Sequence, residues 1–492
     1  MAARPNWASL PSVLIVDILS YLSHQDRLNA STICKRWRNC LFHPLFWRKI
    51  RFRTGYLDRQ RSKFLSDRCG RFVREVLIKF NSHNPKEVRE TSQILDVLCG
   101  NKNLTSFSLQ PSSCHIEWPD TQSTLKCKKF RDDDNDDVRQ VMRLAHTDPL
   151  AKLGQVIFLN FRFLDSIESI VKNSRRLKHF SMGFVEELLE HSSIIINLLG
   201  RNCSRTLESL HLASIKEDSE NYGIIDLSAI QFQAFEALKH LSIDYDHLTN
   251  ELLSALSSGC KKSLETLVIN VHGIDSENEK VTNYSWMQIR KNCPKLEVTV
   301  NLIHSFDGVQ GLLDILQPAL PLACFRQLFC TDLNPSAINY LSSHYKDTLK
   351  SVYIIDGLNE GYPIPYFSHM EEDTFVMLAW RCNKLEEFTL IGYEILDDDI
   401  MAIARLRGEQ LKKFDIPLSC IATLDEDEET PTRYAYVDDD FVHSVSNSLQ
   451  MSWYPKEDYE LPLAVFDDQA DAELAYIDIL LSDQQPKWRG KT

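Results

Sequence analysis

Along most of the 492-residue chain, apolar residues return in one hexameric spacing, apolar-x-x-apolar-x-apolar. It occurs at Val73/Val76/Ile78, Leu104/Phe107/Leu109, Leu153/Val156/Phe158, Leu177/Phe180/Met182, Leu207/Leu210/Leu212 and Leu238/Leu241/Ile243. It continues at Leu264/Leu267/Ile269, Phe325/Leu328/Cys330, Leu349/Val352/Ile354, Leu385/Phe388/Leu390 and Leu411/Phe414/Ile416. The starts at Leu207, Leu238 and Leu264 lie 31 and 26 residues apart. Leu296 follows 32 residues later, on a strand that fits the spacing imperfectly. Alternation within the hexamer is the period of a strand with one buried face, and helical spacing fills the connectors at 248–260 and 374–382. This predicts stacked strand-and-helix repeats, none of which buries its apolar face alone. Residues between the apolar positions should then line an open sheet face. His179, Ser181, His211, His240, Ser242, Tyr353 and Glu387 are the candidate partner-binding residues there.

The first fifty residues follow another period. Leu14, Ile18 and Leu22 recur at helical spacing, with Pro11 in the first turn, where its missing N–H costs nothing. Asp26 is the expected N-cap of a second short helix carrying Leu28, and 34–37 opens a third. So small a helical unit buries little surface, and its apolar faces call for a partner or for the following domain.

The repeat fails between Gln110 and Pro149, where a basic block at 126–129 meets an acidic block at 132–137. A solvated loop insertion near 110–150 is expected, since the glycine and terminal glutamate of a calcium loop are missing. Past Cys420 the chain turns acidic at 425–429 and 438–440, while 441–449 and 474–481 have the spacing of helices that cap the array. The expected divisions are a helical head at 7–52, a linker at 53–70, repeats at 71–420 and an acidic, partly helical region at 421–492.

Charge sharpens this picture. The chain carries 55 Lys/Arg against 69 Asp/Glu, a net −14, yet residues 1–80 hold 16 Lys/Arg and 5 Asp/Glu, a local +11. A basic head on an acidic body suits docking on an acidic protein better than nucleic-acid binding. No run of 18 apolar residues exists, so no membrane span is expected, and Asp17 cuts the first apolar run, unlike a secretory signal. The 13 cysteines are scattered without a C-x-x-C pair, as in a reduced compartment, cytoplasm or nucleus. Cys203, Cys260, Cys293 and Cys382 each precede a strand leucine by three or four residues, which reads as a buried corner thiol. His179, His211 and His240 on successive strands lack accompanying carboxylates or thiols at ligand spacing, so no metal is expected. Phosphate-binding glycine loops, the G-x-S-x-G elbow and H-E-x-x-H are absent as well, so neither catalytic residues nor a cofactor are expected.

Two resemblances give these elements a function. Leu10-Pro11, Leu14, Ile18, Tyr21-Leu22, Asp26, Leu28, Ile33-Cys34-Lys35, Trp37-Arg38 and Trp47-Arg48 together resemble the F-box. Val13 departs from it, standing where many F-boxes carry an acidic residue. The hexamers resemble the strands of leucine-rich repeats, in a longer and less regular form. The resemblance implies an α/β chain: a short α-helical F-box, then a leucine-rich-repeat solenoid, a horseshoe of parallel strands inside and helices outside. It further implies a receptor subunit of a Skp–cullin–F-box ubiquitin ligase. The Skp linker protein would contact Leu10, Pro11, Leu14, Ile18, Leu22, Leu28, Ile33, Cys34 and Trp37. Through that linker the chain would reach a cullin–RING scaffold, and through its repeats a client protein. A cullin-independent interaction scaffold is the alternative.

Overall fold

The computed structural model describes residues 7–118, 162–190, 192–277, 279–358, 361–365, 373–423, 432–433 and 437–484. The expected insertion near 110–150 with its two charged blocks, the Leu153/Val156/Phe158 hexamer and the acidic run at 425–429 lie largely or wholly outside them. The chain divides into two compact units. One holds Met1–Ser112, Ile116–Phe180 and Arg201–Cys203, the other Ser113–His115, Ser181–Gly200 and Ser204–Thr492.

The first unit begins with three short helices, α1 (Ser12–Ser20), α2 (His24–Ser31) and α3 (Lys35–Leu41). Pro11 takes the N-cap position of α1 rather than its first turn. Ser23, not Asp26, caps α2: its Oγ accepts from the Asp26 N–H at 3.2 Å and donates to the Asp26 carboxylate at 2.7 Å. The serine wins because its hydroxyl serves both roles one turn earlier. Ile15, Leu19, Trp37 and Cys40 form the small core. Strand β1 (Lys49–Arg53) follows at once and pairs in parallel with β2 (Glu75–Phe80), which pairs with β3 (Ser106–Pro111). Ile50 lies beside Val76 and Phe52 beside Ile78, continued by Phe107 and Leu109. A repeat therefore starts at the end of the expected head and fills the expected linker at 53–70. Its alternation of buried Ile50 and Phe52 with exposed Lys49, Arg51 and Arg53 is hidden by the surrounding basic residues, and its helix spans Arg59–Cys69. Strand β4 (His179–Ser181) stands at the division between units.

In the second unit strands β5 (Ser209–His211), β6 (His240–Asp244), β7 (Thr266–Val271) and β8 (Glu297–Ile303) follow one another in the sheet. Next come β9 (Leu322–Leu328), β10 (Ser351–Ile355) and β11 (Glu387–Ile391), every neighbour parallel. A two-residue strand, β12 (Ile395–Leu396), leaves for a small separate sheet, and β13 (Lys413–Asp415) closes the main order. The sequential order is what stacked repeats demand, because each crossover returns the chain beside its previous strand. Four connecting helices share one starting device. Thr249, Thr282, Asn334 and Asp373 each cap the next helix by accepting backbone N–H groups on the side chain.

One hexamer is out of phase. Register sets Phe325 beside Val300 and Val352, so the repeat reads Leu322/Phe325/Gln327 rather than Phe325/Leu328/Cys330. A bulge between Val298 and Thr299 shifts the register, and buried Gln327 takes the third apolar place by donating to the Asp332 carbonyl at 2.7 Å.

The corner cysteines are buried, as their offset implies. Cys203 Sγ–H donates to the Ser174 carbonyl at 3.1 Å, Cys260 to Phe235 at 3.1 Å and Cys293 to Cys260 at 3.4 Å. Burial pushes the Cys260 and Cys382 thiols up to about 12, which keeps them protonated donors. In the first unit Asn101 does the same with more reach, its Nδ2 donating to Gly70 at 2.8 Å and Val73 at 2.7 Å. Truncating Asn101 to alanine strands two buried carbonyls and is expected to cost about 2–4 kcal/mol, measured as a lowered denaturant midpoint.

Candidate functional site

The helical head places its predicted contact residues in three classes. Pro11, Leu14 and Ile33 are exposed; Leu10, Ile18, Leu22, Leu28 and Cys34 are half-buried. Trp37 is only 5% exposed, lies in the core of the head and donates its Nε1–H to the Trp7 carbonyl at 3.1 Å. It is a core residue, not a contact residue, because α3 needs one large side chain to cover Ile15 and Leu19. In its place the surface shows Trp7, Val13 at 78% and Tyr21 at 82% exposure. Leu14 on α1 and Tyr21 at its C-cap are seven residues apart, about two helical turns along one side. Val13, where the F-box pattern often has an acid, makes this face more apolar. Exposure on this scale, beside a minimal core, marks an interaction surface.

The second candidate surface is the sheet face opposite the helices, which register orders into rows. The first runs His211, Ser242, Val268, Thr299, Cys324, Ser351, Glu387, Lys413. The second runs Asp244, Asn270, Asn301, Arg326, Tyr353, Thr389, Asp415. The third is apolar: Ile303, Leu328, Ile355, Ile391. His240 pairs with Ser209 rather than with His211, so the predicted histidines do not form one row. His211 instead bonds Ser209 at 2.6 Å and Ser242 at 3.0 Å. His179, Ser181, His211 and Ser242 are buried, which removes them from the open surface expected of them. His240 and Tyr353 are half-buried and Glu387 is exposed. The accessible part of the face lies on β10, β11 and β13, where Ser351 donates to Glu387 at 2.9 Å and the Lys413 ammonium stands 5.4 Å from the Tyr353 ring centroid.

A polar line crosses the second row. Asn270 donates to the Ser214 carbonyl at 2.8 Å, Asn301 to Asn270 at 2.9 Å, Arg326 to Asn301 at 3.4 Å, and Arg326 also grips Asp483. Sequence reasoning missed Arg326 because the out-of-phase hexamer set it ahead of a strand; Leu322, three residues before Phe325, was the signal. Asp483 arrives on the helix Glu473–Asp483, whose Tyr476, Ile477, Leu480 and Leu481 pack with the third row. That helix was expected as an end cap and instead crosses the face.

Beside β6 sits a buried charged cluster, Asp244, Asp246 and His247, whose ligand atoms lie within 4.8 Å of one another. The Lys216 ammonium stands against it, 3.2 Å from Asp246 and 2.6 Å from the Asn221 carbonyl oxygen. Asp244 accepts the Ser214 N–H at 2.8 Å and its hydroxyl at 2.5 Å. A fixed ammonium neutralises the carboxylates from within the protein, so the donor set serves packing, not a cation. Burial and the Asp246 charge raise Asp244, while burial lowers His247 and His304 and brings His272 down to about 3.

Comparison with known proteins gives a consistent result. Residues 7–53 match the F-box-like family model. The chain is 27% identical over 507 residues to F-box only protein 33 of Homo sapiens, covering 93% of this chain and 84% of the relative. It is 22% identical over 458 residues to F-box/LRR-repeat protein 21 of Ovis aries, covering 92% and 90%. Among solved structures, a chain of the Rad7 and Elc1 complex in yeast aligns at 15% identity and a TM-score of 0.35, covering 85% of this chain and 89% of that one. The expected F-box head and its leucine-rich-repeat relatives are thus borne out.

The fully buried His272 gives one component of the pH response a definite sign. Unfolded, it takes a proton near 6.5; folded, it resists until about 3, so its stabilisation is complete above 6.5 and is lost as pH falls. Raised Asp244 works the other way, its stabilisation being lost as pH rises through its folded value. His272 alone contributes a downward slope of about 2 kcal/mol from pH 7 to 5, against which the raised carboxyls of Asp244, Asp356 and Asp399 act. His272→Gln keeps an N–H for the Ser214 carbonyl, which His272 Nε2 contacts at 3.1 Å, and should flatten that slope in thermal melts.

Proposed function

We propose that this chain is the substrate-recognition subunit of a Skp–cullin–F-box ubiquitin ligase. The observation that carries the reading is the exposed apolar face of the helical head, in a segment that matches the F-box-like family model. Similarity to an F-box only protein and to an F-box/LRR-repeat protein over more than nine-tenths of the chain supports an adaptor role. In this reading the head binds the Skp linker protein, the linker joins a cullin–RING scaffold, and the accessible sheet face around Tyr353, Glu387 and Lys413 receives the client. The chain itself catalyses nothing. It raises the effective concentration of client lysines at a ubiquitin-loaded enzyme carried by the scaffold.

Division of labour follows from the burial pattern. Leu14, Val13, Tyr21 and Ile33 are free to enter a hydrophobic interface, whereas Trp37 holds the head together. The cytoplasm or nucleus is the compartment this function requires.

Affinity capture tests the proposal. Wild type is expected to bring down both linker and cullin, and the exposed-face variant Leu14→Asp/Ile33→Asp should lose both while its circular dichroism is unchanged. Loss of anchors in a desolvated interface costs about 2 kcal/mol or more each, hence roughly a thousandfold for the pair. Linker without cullin would favour the scaffold alternative. Capture of neither by wild type would overturn the proposal.

A further inference from the structure

The sheet face opposite the helices of the second unit ends in an apolar row, Ile303, Leu328, Ile355 and Ile391. Helix Glu473–Asp483 covers it with Tyr476, Ile477, Leu480 and Leu481. Anchors at i, i+1, i+4 and i+5 are how an amphipathic helix seats in a groove. Both ends of the contact are polar. Glu473 accepts the Ser113 hydroxyl at 2.8 Å and the Cys114 N–H at 2.5 Å. The Tyr476 hydroxyl meets His304 at 3.0 Å, Ser181 donates to Gln484 at 2.7 Å, and Arg326 holds Asp483 through two nitrogens. An apolar centre ringed by polar contacts is the anatomy of an interface. The buried Glu473 carboxyl and the half-buried ion pair each carry a desolvation cost, which offsets part of the apolar gain.

We propose that helix Glu473–Asp483 is an intramolecular stand-in for the client. The segment that replaces it is an amphipathic helix whose apolar stripe lies on Ile303, Leu328, Ile355 and Ile391, followed by an anionic side chain for Arg326. This deepens the receptor reading and rests on it. Arg326 is the selective element, since it is the one guanidinium in the three rows and its present partner comes from the covering helix. While the helix is seated, a client competes for a filled site, and clients lacking the anion do not displace it.

Hydrogen exchange on the wild-type chain is the first test. Amides of 476–483 should exchange at least tenfold faster than those of β8 to β10 beneath them; equal protection would overturn the proposal. A fluorescein-labelled peptide copying residues 471–484 is then titrated against full-length proteins. Binding should be weak to wild type, at least tenfold tighter to Ile477→Asp/Leu481→Asp, and lost again when Arg326→Glu is added. A folded release variant that gains no affinity sinks the idea. If that variant unfolds, Asp483→Lys replaces it, with at least a threefold gain expected and no gain counting against. Linker capture from the same samples reads the receptor function separately, because the head takes no part in the peptide experiment.

Discussion

Among the described residues, strands of the main sheet turn a mostly apolar side to the helices, and no strand with its helix encloses that side. Leu241 beside Leu267, and Leu267 beside Val298, are dry only because the neighbours are present and in register. Parallel pairing at constant register is therefore the constraint on which the other features depend. It fixes the order of the strands and aligns the side chains of the opposite face in rows. It also makes the corners awkward, since carbonyls are buried there with no strand partner. Cysteine thiols and Asn101 answer that need from one repeat to the next.

A continuous sheet face produced this way is not automatically a binding surface. Its rows differ in chemistry because the register aligns like with like. The second row became a hydrogen-bonded line from Ser214 to Arg326, and the third a band of aliphatic side chains. Such a band would cost about 25 cal/mol for each Å² left in water, which explains why the chain spends a helix on covering it. What remains accessible is displaced toward β10, β11 and β13, where Tyr353, Glu387 and Lys413 stand.

The head faces the inverse problem. Three short helices enclose a core of Ile15, Leu19, Trp37 and Cys40 with Val16 and Ile18 packed at its edge, while Val13 and Leu14 of α1 stay exposed. An incomplete core is a weakness in a free domain and an advantage in a docking module, because the partner supplies the missing contacts.

Local chemistry was legible in the sequence wherever a residue's role depends on its immediate neighbours. The hexamers located most strands, and the offset of Cys203, Cys260, Cys293 and Cys382 located the corners. The F-box spacing located the head. Where two distant segments meet, the sequence was silent. Whether Trp37 faces a partner or its own core depends on α1, and whether Ser181 or His211 sees solvent depends on what covers the sheet. The phase of β9 depends on a bulge at Ala323 where it meets β8, and with it Arg326 comes to face Asp483, 157 residues onward. Periodicity records which side of an element is apolar. Only the folded chain decides which of those sides, and which polar side chains, are left for another molecule.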